Sequence, residues 1–130
     1  MTISFIMARL QRLCMVAFPL MIAVSFVMAA LPNPPDLPAS PSDKTQHVVT
    51  FASLMIVGMF GMPRVPAARL WLALVGYGAL IELVQAIPAL NRDSDWVDLL
   101  VDALAALGAW PLVVLIRRWL PQPEHPSRPD

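Results

Sequence analysis

Two runs of residues, each long enough to cross a membrane, meet at a stretch that is crowded with acids. The stretch is Glu82–Asp102, ELVQAIPALNRDSDWVDLLVD, which contains five acidic residues and one arginine. The runs are Leu70–Leu90 and Val97–Ile116, and a helix needs roughly 20 residues to span a bilayer. Each ionisable group inside such a span costs about 2.5–3.5 kcal/mol on insertion scales. The acids must therefore contribute something to the fold or to the function that offsets this cost.

The composition places the chain among membrane proteins. Of its 130 residues, 58% are hydrophobic and 14% are charged, which is too apolar for an ordinary soluble domain. The formal net charge is zero, and we expect neither a nucleic-acid partner nor a cofactor. The single cysteine, Cys14, excludes an intrachain disulfide.

Prolines lie mostly between the apolar runs, where they separate four predicted helices. The second helix has Ser40 as its N-cap and Pro41 at its first helical position. The last helix has Ser94 as its N-cap and an acid in its first turn, which suits the helix dipole. The predicted helices are Leu13–Leu31, Pro41–Met62, Leu70–Leu90 and a final helix that ends near Trp119.

The first helix has an alternative interpretation as a cleaved signal peptide, because Val27–Ala29 suits a cleavage site. The uncharged run Leu13–Leu31 is 19 residues long, whereas a signal h-region has about 7–15. The length therefore favours a retained helix.

Basic residues predict the orientation of the helices. With the N-terminus in the cytoplasm, seven of the nine basic residues lie inside and two lie outside, as the positive-inside rule requires. The inside residues are Arg9, Arg12, Arg64, Arg69, Arg117, Arg118 and Arg128, and the outside residues are Lys44 and Arg92. The predicted fold is an all-α, four-helix transmembrane bundle with both termini in the cytoplasm.

This prediction divides the chain into three parts. Residues 1–31 form an N-terminal transmembrane helix, and residues 32–119 form a core with three transmembrane helices. Residues 120–130 are a polar, proline-rich tail that we expect to be disordered and cytoplasmic.

The polar residues within the spans all belong to the outer half of the predicted bundle. Spacings of three, four or seven residues place each set on one face of its helix. Those faces predict one polar pocket that opens outward. Its candidate ligand-binding residues are Asp43, Lys44 and His47 in the second helix, Glu82 and Gln85 in the third, Arg92 in the loop, and Asp98 and Asp102 in the fourth.

These motifs, in this order, resemble the VanZ-like family, whose members are small bacterial membrane proteins linked to teicoplanin resistance. The matching elements are DKTQH, then ELVQ, then a loop arginine, then Asp98 and Asp102 in a D-x-x-x-D pattern, over roughly residues 40–110. Two positions depart from the family pattern, because Asp102 replaces the usual Asn and Ala105 a common Gly. The resemblance implies a multi-pass protein of the bacterial cytoplasmic (inner) membrane that affects glycopeptide sensitivity.

The predicted pocket admits several functions. In the first, it binds a lipid headgroup or a lipid-linked cell-wall precursor, with Lys44, His47 and Arg92 on the phosphate. In the second, the polar residues only hold the helices together. In the third, the protein is a membrane-embedded enzyme that uses a metal or an acid/base pair, and a small proton-coupled transporter is a fourth. One histidine is few for a metal centre and no HExxH motif occurs, so the sequence favours binding over catalysis.

Two further predictions concern protonation and partners. Asp98 and Asp102 lie one turn apart, and we expect Asp102 to hold a proton while Asp98 faces the cations. Glu82 is the deepest ionisable residue, and we expect Lys44 or Arg92 to pair with it while Gln85 and His47 complete its hydrogen bonds.

Overall fold

A computed structural model describes residues 2–32 and 42–120 of the chain. Within these ranges the regular structure is entirely helical, which confirms the predicted all-α class. The elements are α1 (Thr2–Ala30), α2 (Asp43–Gly61), α3 (Ala67–Gln85), a short 3-10 helix (Pro88–Leu90) and α4 (Trp96–Trp119). The predicted tail, residues 120–130, lies outside the described residues except for its first position.

Three of these helices are long and apolar enough to cross a membrane: α1 from Phe5 onward, α3 and α4. Helix α2 is the exception. Its first two turns carry Asp43, Lys44 and His47, which leaves Val48–Gly61 as its apolar part. At 1.5 Å per residue that part is about 21 Å long, shorter than the roughly 30 Å hydrocarbon core. The fourth span therefore stays a prediction.

The helix starts differ from the predicted ones. Helix α2 begins at Asp43, where Ser42 is the N-cap and its Oγ accepts a hydrogen bond from the Thr45 amide. The predicted cap, Ser40, lies outside the described residues. In α4 the N-cap is Asp95 rather than Ser94, because the Asp95 carboxylate accepts a hydrogen bond from the Val97 amide at 2.9 Å.

Helix α3 ends five residues before the predicted Leu90. The backbone of Ile87 is extended, as expected for the residue before Pro88. Asn91 then adopts a left-handed backbone conformation, with φ of 50°. These two features turn the chain sharply after α3 and return it towards the helix that it has just left.

Contacts between helices show that they alternate in direction along the chain. Lys44 and His47 at the start of α2 meet the start of α4, and Arg117 at the end of α4 donates to the Met59 carbonyl near the end of α2. Gln85 at the end of α3 donates to the Ala29 carbonyl at the end of α1. We call the end of the bundle where α1 and α3 end and α2 and α4 begin the polar end.

Helix α2 lies at the centre and packs against the other three helices. The core is apolar, and its largest fully buried members are Phe51, Leu54, Met55, Leu74 and Val113. Small residues allow the closest approach: a Cβ on Gly61 would lie 2.8 Å from the backbone nitrogen of Met15 in α1. Helix α1 is further held by the Tyr77 hydroxyl, which donates to the Ile22 carbonyl at 2.9 Å.

Candidate functional site

The polar end gathers charged side chains from α2 and α4 around Lys44. Its Nζ lies 2.9 Å from Oδ1 of Asp98 and 3.1 Å from Oδ2 of Asp95. The Asp98 side chain is buried, with 4% exposed, whereas 52% of the Lys44 side chain is exposed. One ammonium group therefore bridges a buried and an exposed acid and remains accessible from outside the bundle.

One turn deeper, His47 of α2 meets Asp102 of α4. Nδ1 of His47 lies 2.8 Å from Oδ1 of Asp102, whose side chain is fully buried. The imidazole stacks on Phe51, with the ring planes 4° apart and the centroids separated by 6.3 Å. The second oxygen, Oδ2, has no hydrogen-bond partner in the described part of the chain, and it lies against Gly78 of α3, where a Cβ would come within 2.9 Å.

The prediction that a cation pairs with Glu82 is wrong for the described residues. Oε2 of Glu82 instead accepts hydrogen bonds from the Ser94 hydroxyl at 3.1 Å and from the Asp95 amide at 2.9 Å. The sharp turn after α3 places these two donors back over the carboxylate. Oε1 of Glu82 is buried without a partner among the described residues.

Gln85 and Arg92 do not take the roles expected of them as partners of Glu82, whereas Asp43 lies at the start of α2 as predicted. Gln85 is buried and donates to the Ala29 carbonyl of α1 at 3.3 Å, so it does not complete the hydrogen bonds of Glu82. Arg92 is half-buried and makes no hydrogen bond or ion pair with other described residues. Asp43 is exposed at the start of α2.

Asp95, which lies outside the predicted spans, has a lowered pKa. The hydrogen bond from the Val97 amide, and then that from Lys44, hold the pKa of the Asp95 carboxyl below its usual value. Asp95 therefore serves as an ionised cap of α4 and as a partner of Lys44.

Asp43, His47 and Asp98 are the described residues best placed to hold a metal. Each offers one ligand atom, and these atoms lie within 4.8 Å of one another. Carboxylate and imidazole donors suit several divalent ions. Because Nδ1 of His47 contacts Asp102, Nε2 is the nitrogen left for such an ion, and the contact resembles the carboxylate–histidine pairs that orient metal ligands. Lys44 already supplies a positive charge to Asp98.

We call Lys44, His47, Asp98 and Asp102 the Lys44 cluster. Two clefts lie on the described part of the bundle, and none of these four residues lines either of them. The larger, about 670 Å³, has an apolar lining that includes Leu107, Trp110 and Val114 of α4. The smaller, about 320 Å³, adjoins the polar end and is lined in part by Glu82, Ser94 and Trp96. The structure thus brings Lys44, His47, Asp98 and Asp102 together in a packed cluster and leaves Glu82 beside an open cleft.

Sequence reasoning misses two positioning residues, Ser94 and Gly78. The sequence predicts that Ser94 is a helix cap, and only the turn at Asn91 shows why it reaches Glu82 instead. Gly78 lies four residues before Glu82 on α3. A glycine within an apolar helix, which lets a neighbouring helix approach closely, is the one signal that could have indicated this position.

Comparison with known proteins found no matching family model, no matching curated protein and no matching solved structure. The VanZ-like resemblance therefore remains a prediction that rests on its four motifs. The fold and the site together define a helical protein with three potential membrane-spanning helices and a charged cluster at one end.

Proposed function

We propose that this chain is a VanZ-like, four-span protein of the bacterial inner membrane whose polar end binds the phosphate of a lipid headgroup or lipid-linked cell-wall precursor outside the cytoplasm. In this proposal the binding changes the sensitivity of the cell to glycopeptides such as teicoplanin. The observation that carries it is the Lys44 ammonium, which two carboxylates hold in place while half of its side chain stays exposed.

The alternating helix directions support the four-span topology. Trp96 and Trp119, at the two ends of α4, are 73% and 82% exposed, as expected for the aromatic belts at the two faces of a bilayer. Packing on three sides shields α2, so its short apolar part does not need to match the lipid. Arg64 and Arg117 belong to the opposite end from Lys44, in accord with the positive-inside rule.

Reporter fusions test this topology. A reporter that is active only in the cytoplasm should work at Asp130, and one that is active only outside should work at Pro35. Activity of the external reporter at Asp130 would exclude the four-span arrangement. N-terminal sequencing of the mature protein would show whether the first helix is retained.

Two cations support phosphate as the bound group. Lys44 is accessible, and Arg92 has no ion-pair partner among the described residues. Both are the cations that the predicted topology places outside. Guanidinium and ammonium groups form strong, charge-assisted hydrogen bonds with phosphate oxygens, and Asp95 and Asp98 fix the ammonium position while leaving its outer side open.

Native mass spectrometry of the purified protein with phosphatidylglycerol provides the binding test. Lys44→Met and Arg92→Met should each weaken binding by about tenfold, because each removes one charge-assisted contact. Arg64→Met is the matched control, since it removes an exposed cation from the other end of the bundle. If all three variants weakened binding equally, the attraction would be non-specific. If the first two lowered only abundance, the cluster would serve to hold the helices together.

The Asp43, His47 and Asp98 group favours a second candidate, a membrane-embedded enzyme that uses a divalent metal. Calorimetric titration of purified protein with Mn²⁺ or Zn²⁺ tests it. Saturable binding that is lost in His47→Gln but kept in His125→Gln, which removes the other histidine of the chain, would favour this candidate over the binding protein.

A further inference from the structure

A second potential ligand site lies beside Glu82, apart from the Lys44 cluster. The cleft of about 320 Å³ is bounded by α3 and by the start of α4, and its lining is apolar except for Glu82 and Ser94. This volume is at the lower end for ligand sites, which range over roughly 300–1,000 Å³. The cleft therefore fits a small group or part of a larger molecule.

Only one of the two carboxylate oxygens of Glu82 has hydrogen-bond partners among the described residues. Oε2 of Glu82 accepts hydrogen bonds from Ser94 and Asp95, whereas Oε1 has no partner in the described part of the chain. Glu82 is only 8% exposed. A buried oxygen without a hydrogen-bond donor is costly. A small rotation of the Glu82 side chain towards the cleft would let a ligand there donate an N–H group to Oε1 and remove that cost.

The residues that line the cleft favour an ammonium group over a metal ion as the partner of Glu82. A divalent metal needs several oxygen ligands, but Glu82 is the only acidic residue of the lining. An ammonium group needs one carboxylate oxygen, and the exposed indole of Trp96 offers it a further favourable contact. The apolar remainder, including Leu83 and Leu99, suits the methylene groups that carry an amine.

The surroundings indicate that the amine belongs to a lipid. Leu83 forms part of the cleft wall and is 70% exposed, and neighbouring Leu80 is 48% exposed. The cleft thus adjoins an apolar outer surface of α3. In the proposed topology, on which this step rests, that surface faces lipid near the headgroup level.

We propose that Glu82 and its cleft bind the primary ammonium group of an aminophospholipid. Oε1 of Glu82 accepts an N–H hydrogen bond, Trp96 covers the cation, and the lipid backbone continues along the apolar surface beside Leu83. In the proposed topology the phosphate of this lipid lies on the same side of the membrane as Lys44 and Arg92, and the cleft then selects the headgroup that the proposed phosphate site accepts.

Native mass spectrometry with two lipids of identical acyl chains tests this inference. Phosphatidylethanolamine has a primary ammonium, and phosphatidylcholine has a quaternary one that cannot donate a hydrogen bond. We expect the full chain to bind phosphatidylethanolamine about tenfold more tightly. Equal affinity for the two lipids would overturn the proposal.

Glu82→Gln should abolish the preference and still fold. The Gln carbonyl can keep the hydrogen bonds from Ser94 and Asp95, which turns the amide NH₂ towards the position of Oε1. An NH₂ group donates and cannot accept from an ammonium. Ala86→Leu is a second variant: Ala86 is exposed at the cleft, and the larger side chain fills it without altering Glu82.

The two variants together separate the outcomes. Loss of the preference in both supports the proposal, and a preference that persists in both overturns it. Phosphatidylglycerol, which has no amine, is the control for the phosphate site and should bind both variants as it binds the parent. If the parent failed to bind phosphatidylglycerol but preferred phosphatidylethanolamine, the proposed phosphate function would fail while the amine site stood.

Discussion

Nδ1 of His47 lies 2.8 Å from Oδ1 of Asp102, in a contact that joins α2 to α4 below the surface of the polar end. Both residues are buried, at 8% and 0% exposure. An ionised carboxylate only accepts hydrogen bonds, so Nδ1 is the donor in that state. The pair fixes the rotation of both helices one turn below the contact of Lys44 with Asp98.

Substitutions at Asp102 should show whether the shape or the charge of its side chain stabilises the bundle. We expect Asp102→Asn to stay within about 1 kcal/mol of the parent, because Asn Oδ1 still accepts from His47 and its amide replaces an oxygen that already lacks a partner. Asp102→Ala should lower the free energy of unfolding by about 2–4 kcal/mol through a cavity and an unpaired imidazole. Reversible unfolding in mixed detergent micelles measures both. Equal damage from the two variants would mean that the carboxylate itself is required.

Gly78→Ala should destabilise the bundle by about 1–3 kcal/mol, the usual range for overpacking. The new Cβ would lie 2.9 Å from Oδ2 of Asp102 and 3.2 Å from Leu99, and His47 prevents the carboxylate from moving freely. Gly76→Ala is the control on the same helix, because a Cβ there meets nothing within 4 Å. It should be neutral or stabilising by up to about 1 kcal/mol. The same unfolding assay would contradict this prediction if both variants behaved alike.

Gly61→Ala should loosen α1 from α2. The added Cβ would come within 2.8 Å of the Met15 nitrogen and 2.9 Å of the Cys14 carbonyl carbon, and backbone atoms cannot rotate away. The expected result is faster proteolysis or alkylation of the α1 region, with Cys14 thiol reactivity as the measurement. Gly108→Ala, where a Cβ meets nothing within 4 Å, should leave Cys14 reactivity unchanged. Unchanged reactivity in both would show that this contact does not position α1.

Acid should fray the start of α4 through Asp95. Its folded-state pKa is lowered, so its contribution to stability is complete above the unfolded-state value near 3.8 and is lost as pH falls through the lower folded-state value. Hydrogen-exchange protection of the Val97 amide should fall in that range. Asp95→Asn keeps a cap acceptor that does not titrate, and it should show no such fall. A parallel loss in both proteins would assign the effect to another group.

Much of this arrangement can be predicted because it follows from length and spacing. The apolar runs by themselves indicate α1, α3 and α4. Spacing on helix faces predicts that the α2 and α4 acids and bases share one end, and Lys44 does meet Asp98. Helix length and the face on which a residue lies are local properties of a sequence, so they can be predicted without knowing the tertiary packing.

The partner of Glu82 could not be predicted, because it depends on a turn. Pro88 ends the helix, and the left-handed conformation of Asn91 redirects the chain so that Ser94 and the Asp95 amide reach the carboxylate. Backbone donors carry no sequence signature. Charge matching alone suggests Lys44, which lies instead between Asp95 and Asp98.

In the proposed topology, the unequal lengths of α3 and α4 have a consequence for the surrounding bilayer. Helix α3 has 19 residues and α4 has 24, which correspond to about 28 Å and 36 Å along their axes. In a membrane of uniform thickness the two helices cannot both match the lipid without tilting, and hydrophobic mismatch costs a fraction of a kcal/mol per ångström. Either α4 then tilts more than α3, or the bilayer is thinner beside α3 than beside α4. Acyl-chain length, as much as headgroup chemistry, should then determine which lipids gather around this protein.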